Sequence, residues 1–276
     1  NGQPVADIML GGGKRYFVRD DKDLTADFVK HGYQYIGDIN QIDQLTQLPA
    51  LGLFANKGLE PALGSQHPAR LMTMTNKALQ LVGTRNQPFV MMVEASQIDW
   101  CGHGNDIACA MAEMDDLAKT VTLIKDYIDT HPDTLLVMTA DHSTGGLSLG
   151  RAGTYQWHGQ ALKKVSMMPS VIAQKMLQAE HPAPLWQQTT QLPLTKEQQQ
   201  QLVEAIATAK TAEKPIKQLT KSLKKLIDTL TFTGWTTSGH DGVDVQVFAY
   251  GRGYQAFIGH QDNTEIAATI MQMINK

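Results

Sequence analysis

Two kinds of apolar pattern alternate along the chain. Short unbroken runs occur at Ile8-Met9-Leu10 ahead of Gly11-Gly12-Gly13, at Gly52-Leu53-Phe54, from Phe89 to Val93 and from Leu135 to Ala140. The longer of these runs, at 89–93 and 135–140, are those of strands covered on both faces, as in parallel sheets. Between them apolar residues recur every three or four positions. One stripe is Leu71, Met74, Ala78 and Leu81, introduced by Ser65 to Pro68. A second runs through Ile107, Met111, Met114, Leu117, Val121, Ile124 and Ile128, within a stretch from Asn105 to Thr130 that ends at His131-Pro132. Both predict amphipathic helices whose apolar faces, methionines included, lie in the core. Strand 89–93, helix 105–130 and strand 135–140 then make one right-handed parallel unit. A short helix is expected over Asp23 to Lys30, closed by Gly32, with an extended piece at 33–36. Val243 to Gly251 alternates like a strand with one exposed face, and Glu265 to Ile274 closes the chain as a helix. The predicted fold class is α/β, with a mostly parallel central sheet and helices on both faces.

This pattern changes near Gly153. Residues 155–230 are rich in Gln, Lys, Thr and Ala, with helical spacing at 171–178, 197–207 and 216–230. The chain therefore divides into part of an α/β core at 1–154, a helical insertion at 155–230 and a return to the core at 231–276. Lys217, Lys221, Lys224 and Lys225 read as a solvated helix face. A net charge of -3 gives no general attraction to nucleic acid or an anionic membrane surface. No apolar stretch reaches the roughly 18 residues of a spanning helix. The start, Asn1-Gly2-Gln3-Pro4, has neither an initiator Met nor a signal-peptide core, and reads as cut or processed. Cys101 and Cys109 are the only cysteines. On a continuous helix their Cα atoms would stand about 12 Å apart, too far for a disulfide, so two buried thiols are expected.

Chemistry gathers at the ends of the predicted strands. Glu94 follows the apolar run 90–93, where an ionised carboxylate needs a partner. Asp99 and His103, four residues apart, share one face if the chain turns helical. Asp141 and His142 stand at the carboxyl end of the strand 135–140, and His240 lies in a loop flanked by Gly239 and Gly242. Open parallel sheets place their sites at that edge. An Asp with two His suits zinc, and a mainly carboxylate and hydroxyl set suits magnesium. Ions close together would suit phosphoryl transfer. The plainer reading is a structural histidine and a helix cap from Asp141 or Ser143. The histidines at 31, 67, 131, 158, 181 and 260 read as non-ligands.

Three blocks add a resemblance. Val93-Glu94-Ala95-Ser96-Gln97-Ile98-Asp99-Trp100-Cys101-Gly102-His103, then Thr139-Ala140-Asp141-His142-Ser143-Thr144-Gly145-Gly146, then Gly234-Trp235-Thr236-Thr237-Ser238-Gly239-His240 resemble, in order, signature blocks of the alkaline phosphatases. Asp7 to Gly13 resembles a fourth. The resemblance implies two zinc ions and one magnesium: Asp99, His103 and His240 on the first zinc, Asp141 and His142 on the second, Glu94 on the magnesium. Trp100, directly after a zinc ligand, would shape the substrate pocket's mouth or shift the metal preference. The insertion would contribute to a homodimer interface. Small phosphate monoesters would be the substrates, and the enzyme would be secreted or periplasmic.

One departure accompanies these matches. The family's serine nucleophile follows an Asp that also bridges two metals, and an arginine clamps the phosphate. None of the eight serines here follows an Asp. In the family that segment precedes the glycine block, so the chain is expected to be the C-terminal part of a longer enzyme that works through a phosphoserine intermediate, and to be inactive alone. The alternatives are a phosphodiesterase or sulfatase of the same superfamily, and a non-catalytic metal-binding domain.

Overall fold

The computed structural model describes residues 4–85 and 87–274. Its first elements are β1 (Ile8–Gly11), α1 (Lys14–Phe17), α2 (Leu24–Lys30), β2 (Gln34–Ile36), β3 (Ala50–Leu53) and α3 (Arg70–Gly83). The three strands form a parallel sheet in the order β1-β3-β2, with Ile8 opposite Ala50 and Ile36 opposite Gly52. Alternation along the strands separates two apolar layers. Ala50 joins Ile8, Leu10 and Ile36 against Met74 and Leu81 of α3, whereas Leu51 and Leu53 join Met9, Phe17 and Phe28 of β1, α1 and α2. The fold is thus mixed α/β with a parallel sheet that helices cover on both faces.

The remaining elements are α4 (Gln97–His103), α5 (Ile107–Thr130), β4 (Leu135–Met138), β5 (Ser143–Thr144), β6 (Ser148–Leu149), α6 (Gly159–Leu162), α7 (Pro169–Gln178), α8 (Pro184–Thr190), α9 (Lys196–Lys210), α10 (Pro215–Thr231), β7 (Thr233–Gly234), β8 (His240–Asp241), β9 (Phe248–Gly251) and α11 (Asn263–Ile274). Helices α6 to α10 enclose a core that includes Ile172, Met176, Trp186, Ile206, Leu219 and Leu223, and this core extends onto Ile107 and Ala108 of α5. The helical segment is thereby fastened to the first turn of α5.

Several expectations are corrected. Phe89 to Val93 is not a buried strand: it is irregular, and Val90 and Met92 are 70% and 90% exposed. An apolar run becomes a strand only where a neighbour supplies ladder hydrogen bonds, and among the described residues none does. It lies across from β1, with which it lines a cavity of about 790 Å³. The right-handed parallel unit consequently does not form, and β4 instead pairs antiparallel with β9, Leu135 opposite Gly251 and Met138 opposite Phe248. Only the last four residues of 243–251 are strand.

The helix expected from Asn105 is separated from α4 by a turn. Asn105 takes a left-handed backbone at φ 46°, and Asp106 caps α5 by accepting from the Cys109 N–H at 3.1 Å. The turn folds α5 back, the Cα atoms of Cys101 and Cys109 come within 5.5 Å, and the two cysteines form a disulfide. The expectation of free thiols rested on a continuous helix, and that premise fails at the turn.

Met111 and Met114 are not core residues either, being 37% and 45% exposed. Charge pairing selects a different face. Glu113 and Asp116 are buried against Arg70 of α3, at 2.7 and 3.3 Å, and so the stripe Cys109, Glu113, Asp116 and Thr120 turns inward.

Candidate metal centre

Helix α4 carries Asp99 and His103 one turn apart, with Cys101 between them in sequence and on the opposite side of the helix. The buried Cys101 anchors that far side to α5 through the disulfide. Gln97 ties the N-terminal turn, donating to the Leu59 carbonyl at 2.7 Å. The 55–59 loop is held in turn by the glycine run after β1, where the Gly13 N–H donates to Lys57 O at 2.6 Å. A Cβ at Gly12 would lie 2.1 Å from the Lys57 oxygen, so only glycine permits this approach.

Strands β5 and β8 bring up the other side. Their antiparallel pairing sets Thr144 opposite His240 and Ser143 opposite Asp241. Asp241 fastens the pair by accepting from Ser143 Oγ at 2.9 Å and the Gly146 N–H at 3.0 Å. Gly145, at φ +89°, donates its N–H to the Gly239 carbonyl at 2.8 Å and leaves room for the Trp235 ring, which a Cβ would meet at 2.7 Å.

Asp99, His103 and His240 each offer one ligand atom, and these atoms lie within 4.8 Å of one another. His103 Nε2 is 3.5 Å from Asp99 Oδ2, while its Nδ1 is 2.7 Å from the Ser238 carbonyl. That contact requires a proton on Nδ1, which leaves the Nε2 lone pair facing the group. Thr144 donates to Asp99 Oδ1 at 2.6 Å, and its hydroxyl is also 3.2 Å from His142 Nδ1. The His142 and His240 rings stack with centroids 3.6 Å apart, and Asp141 Oδ2 lies 3.3 Å from His142 Nε2.

Five of the six candidate ligands are therefore joined by direct contacts. Glu94 is exposed on the 88–95 segment and lines the cavity beside β1, not the Asp-His-His group. Trp100 is half exposed on α4 with its ring over Gly58. His158, whose Nδ1 is 3.3 Å from Leu230 O, belongs to the helical segment. A carboxylate and two imidazoles with matched spacing form a donor set that suits zinc, and they are accessible to solvent. Cys101, Cys109 and Glu113 also cluster, but both sulfurs are consumed in the disulfide.

Sequence reasoning missed Thr144 and Asp241. Thr144 stands two positions after His142, so strand alternation through 142–144 was the available signal. The Ser238 carbonyl has no sequence signature.

A cleft of about 2040 Å³ opens at His103 and Ser238 and continues between the 148–155 loop and α10. Lys224 crosses its inner end and donates to the Gly104 carbonyl. Asp228 is buried beneath, accepting from Trp235 Nε1 at 3.2 Å, and burial pushes its pKa up to about 6. Burial raises the Asp106 pKa as well, against the hydrogen bond from Cys109.

Fold and site together define an α/β protein with a clustered carboxylate-imidazole group beside an Asp-His pair. The family model for alkaline phosphatase matches residues 1–276, and the chain belongs to that family. Alkaline phosphatase 3 of Bacillus subtilis (strain 168) is 37% identical, over 99% of this chain and 59% of the relative. A cold-active alkaline phosphatase from a psychrophilic Shewanella sp. superposes with a TM-score of 0.91 at 42% identity, covering 98% of this chain and 66% of the other. A mutant of TAB5 alkaline phosphatase solved with magnesium bound shares the fold, with a TM-score of 0.63 at 22% identity, over 97% of this chain and 60% of that one. The chain thus spans less than two thirds of the length of these relatives.

Proposed function

We propose that these residues form the metal-binding part of a phosphate-monoester hydrolase that works through a phosphoserine intermediate. The observation that carries this reading is the convergence of Asp99, His103 and His240 within 4.8 Å, with His142 stacked on His240. Asp99, His103 and His240 would hold one zinc, Asp141 and His142 a second. Glu94, which stands apart from the group, is assigned to magnesium on the family resemblance alone. When bound, these ions supply Lewis-acid charge and lower the pKa of a water. The chain's own residues prepare for that. Ser238 fixes the His103 tautomer, Thr144 holds one Asp99 oxygen, and Asp241 locks the strand that presents His240.

The serine nucleophile, its neighbouring Asp and the phosphate-clamping arginine would be supplied by sequence outside these residues. Exposed Val90 and Met92 and the cavity beside β1 are surfaces which such a segment would cover. The disulfide favours an oxidising compartment, in keeping with a periplasmic or secreted enzyme. Among the described residues no helix is long and apolar enough to cross a membrane.

The test is twofold. The full-length protein should contain two zinc and one magnesium per chain and hydrolyse p-nitrophenyl phosphate, and His240→Ala should abolish turnover. The 276-residue chain alone should be inactive. Fewer than one tightly bound divalent ion in the full-length protein would favour a non-catalytic domain, and turnover by the isolated chain would refute the division of labour.

A further inference from the structure

Helix α10 reaches the candidate metal centre from behind with two side chains one turn apart. Lys217, Lys221 and Lys225 are exposed, but Lys224 is half-buried and donates to the Gly104 carbonyl. Gly104 follows His103 and caps the C-terminal end of α4, where carbonyls lack helical donors and a cation is favoured. Asp228, four residues on, shares the face of Lys224 and accepts from Trp235 Nε1 at 3.2 Å. The Trp235 ring lies against Gly145 and leaves no space there for a Cβ. Gly145 is in turn the hub of the other half of the centre. Its N–H donates to the Gly239 carbonyl at 2.8 Å, and its own carbonyl accepts from the Thr236 and Thr237 N–H groups at 3.1 and 3.2 Å. Its neighbour Thr144 pairs with His240.

The ligand group is thus built from two halves that meet along a seam. Asp99 and His103 come from α4, His240 from β8 and His142 from the residue before β5. A Cβ at Gly102 of α4 would stand 3.0 Å from the Thr144 side chain, so the halves are in close contact. One face of α10 grips both, Lys224 the first and Asp228 the second. The helix is itself anchored, since Leu219, Leu223 and Ile227 lie in the core that also takes in Ile107 of α5. Burying a carboxylate costs stability, and a leucine would fill this position on a leucine-lined face without that cost. What the carboxylate adds is an acceptor aimed at the indole N–H.

We propose that Lys224 and Asp228 are positioning residues for the metal centre: together they set the gap between α4 and the β5–β8 pair, and with it the zinc affinity of Asp99, His103 and His240. The proposal rests on the metal-centre reading. The helical segment, which contributes none of the candidate ligands, thereby governs how tightly they hold an ion.

Zinc competition against a chelator tests this on the full-length protein. Asp228→Leu and Lys224→Met should each weaken zinc binding by about tenfold, the lower end for outer groups that orient ligands. Asp228→Asn keeps an acceptor for Trp235 and should bind zinc like the wild type. In a Trp235→Phe background, which lacks the indole N–H, Asp228→Leu should cost nothing further, because the pair acts as one unit. Cobalt in place of zinc gives a second readout: its visible absorption reports ligand geometry, and should change in the Leu and Met variants but not in the Asn variant. Should Asp228→Leu fail to fold, Trp235→Phe deletes the same hydrogen bond from the other side and decides in its place. Wild-type zinc affinity in the folded Leu or Met variant, or an Asn variant as weak as the Leu variant, would overturn the proposal. If the wild type retains no zinc, the metal-centre reading falls by itself. The imidazole proton resonances of the stacked His142 and His240 in the metal-free protein then judge the brace. Displaced by Asp228→Leu and restored by Asp228→Asn, they support it; unmoved by either change, they overturn it.

Discussion

Cys101 and Cys109 are joined across the turn at Gly104-Asn105-Asp106, so the helix bearing Asp99 and His103 is covalently tied to the helix that packs on Arg70. The bond closes a loop with a sequence separation of 8. Removing it through Cys101→Ala with Cys109→Ala should lower stability by about 2.5 kcal/mol, the chain-entropy estimate for a loop of that size. It should also let α4 shift and weaken zinc retention. Thermal unfolding with and without reductant, together with zinc competition against a chelator, checks both. Unchanged values in both experiments would remove any role for the bond.

Thr144 restrains Asp99 without being a ligand candidate. Its hydroxyl occupies Oδ1 and leaves Oδ2 on the side of His103. Thr144→Val keeps the shape and deletes the hydrogen bond. Loss of an outer hydrogen bond of this kind typically costs 10- to 100-fold in metal affinity, so zinc affinity should fall by about tenfold or more. Thr144→Ser should restore it. Equal affinities for the Val and Ser variants would show that packing, not the hydroxyl, matters.

Arg70 is buried between Glu113 and Asp116, and the site depends on this arrangement indirectly because it sets the face that α5 presents. Asp116 also accepts from the Leu71 and Met72 N–H groups at 3.0 and 3.2 Å, capping α3 from another helix where Ala69 has no side chain to do so. Arg70→Met leaves two carboxylates buried without their cation. A loss of about 3–5 kcal/mol in denaturant unfolding is expected. A change under about 1 kcal/mol would mean that water reaches the carboxylates.

Periodicity makes single elements legible and says little about partners. The lysine and leucine pattern of 216–230 reads as a helix and is one, because burial of Leu219, Leu223 and Ile227 agrees with the spacing. Leu135 to Met138 reads as a strand too, but its antiparallel partner is more than 100 residues away and no local signal names it. On α5 the apolar stripe misleads, since two charged residues outcompete two methionines for the buried face. The candidate ligands lie in short motifs and so are readable one by one. What joins them, the turn at Asn105 and the Thr144 hydroxyl, depends on backbone geometry. The left-handed backbone of Asn105, at φ 46°, is what breaks the continuous helix on which the expectation of free thiols rests.

Asp228 gives the cleft a pH-dependent stability. Its carboxyl has an ordinary value of 3.8 and rises to about 6 in the fold, chiefly through burial, with Trp235, Arg151 and Lys224 opposing the shift and Asp106 adding to it. Between those values the folded chain binds more protons than the unfolded one. Stability from this group is therefore fully present below 3.8, declines as pH rises to about 6, and stays lower above. The difference amounts to at most about 3 kcal/mol. Asp228→Asn keeps an acceptor for Trp235 Nε1 while removing the charge, so the variant should melt higher than wild type at pH 8. That advantage should shrink steadily on acidification and vanish below the unfolded pKa. Melting curves of both proteins across this range decide the matter, and a gap of constant size would show that the Asn change acts through packing and not through the buried charge.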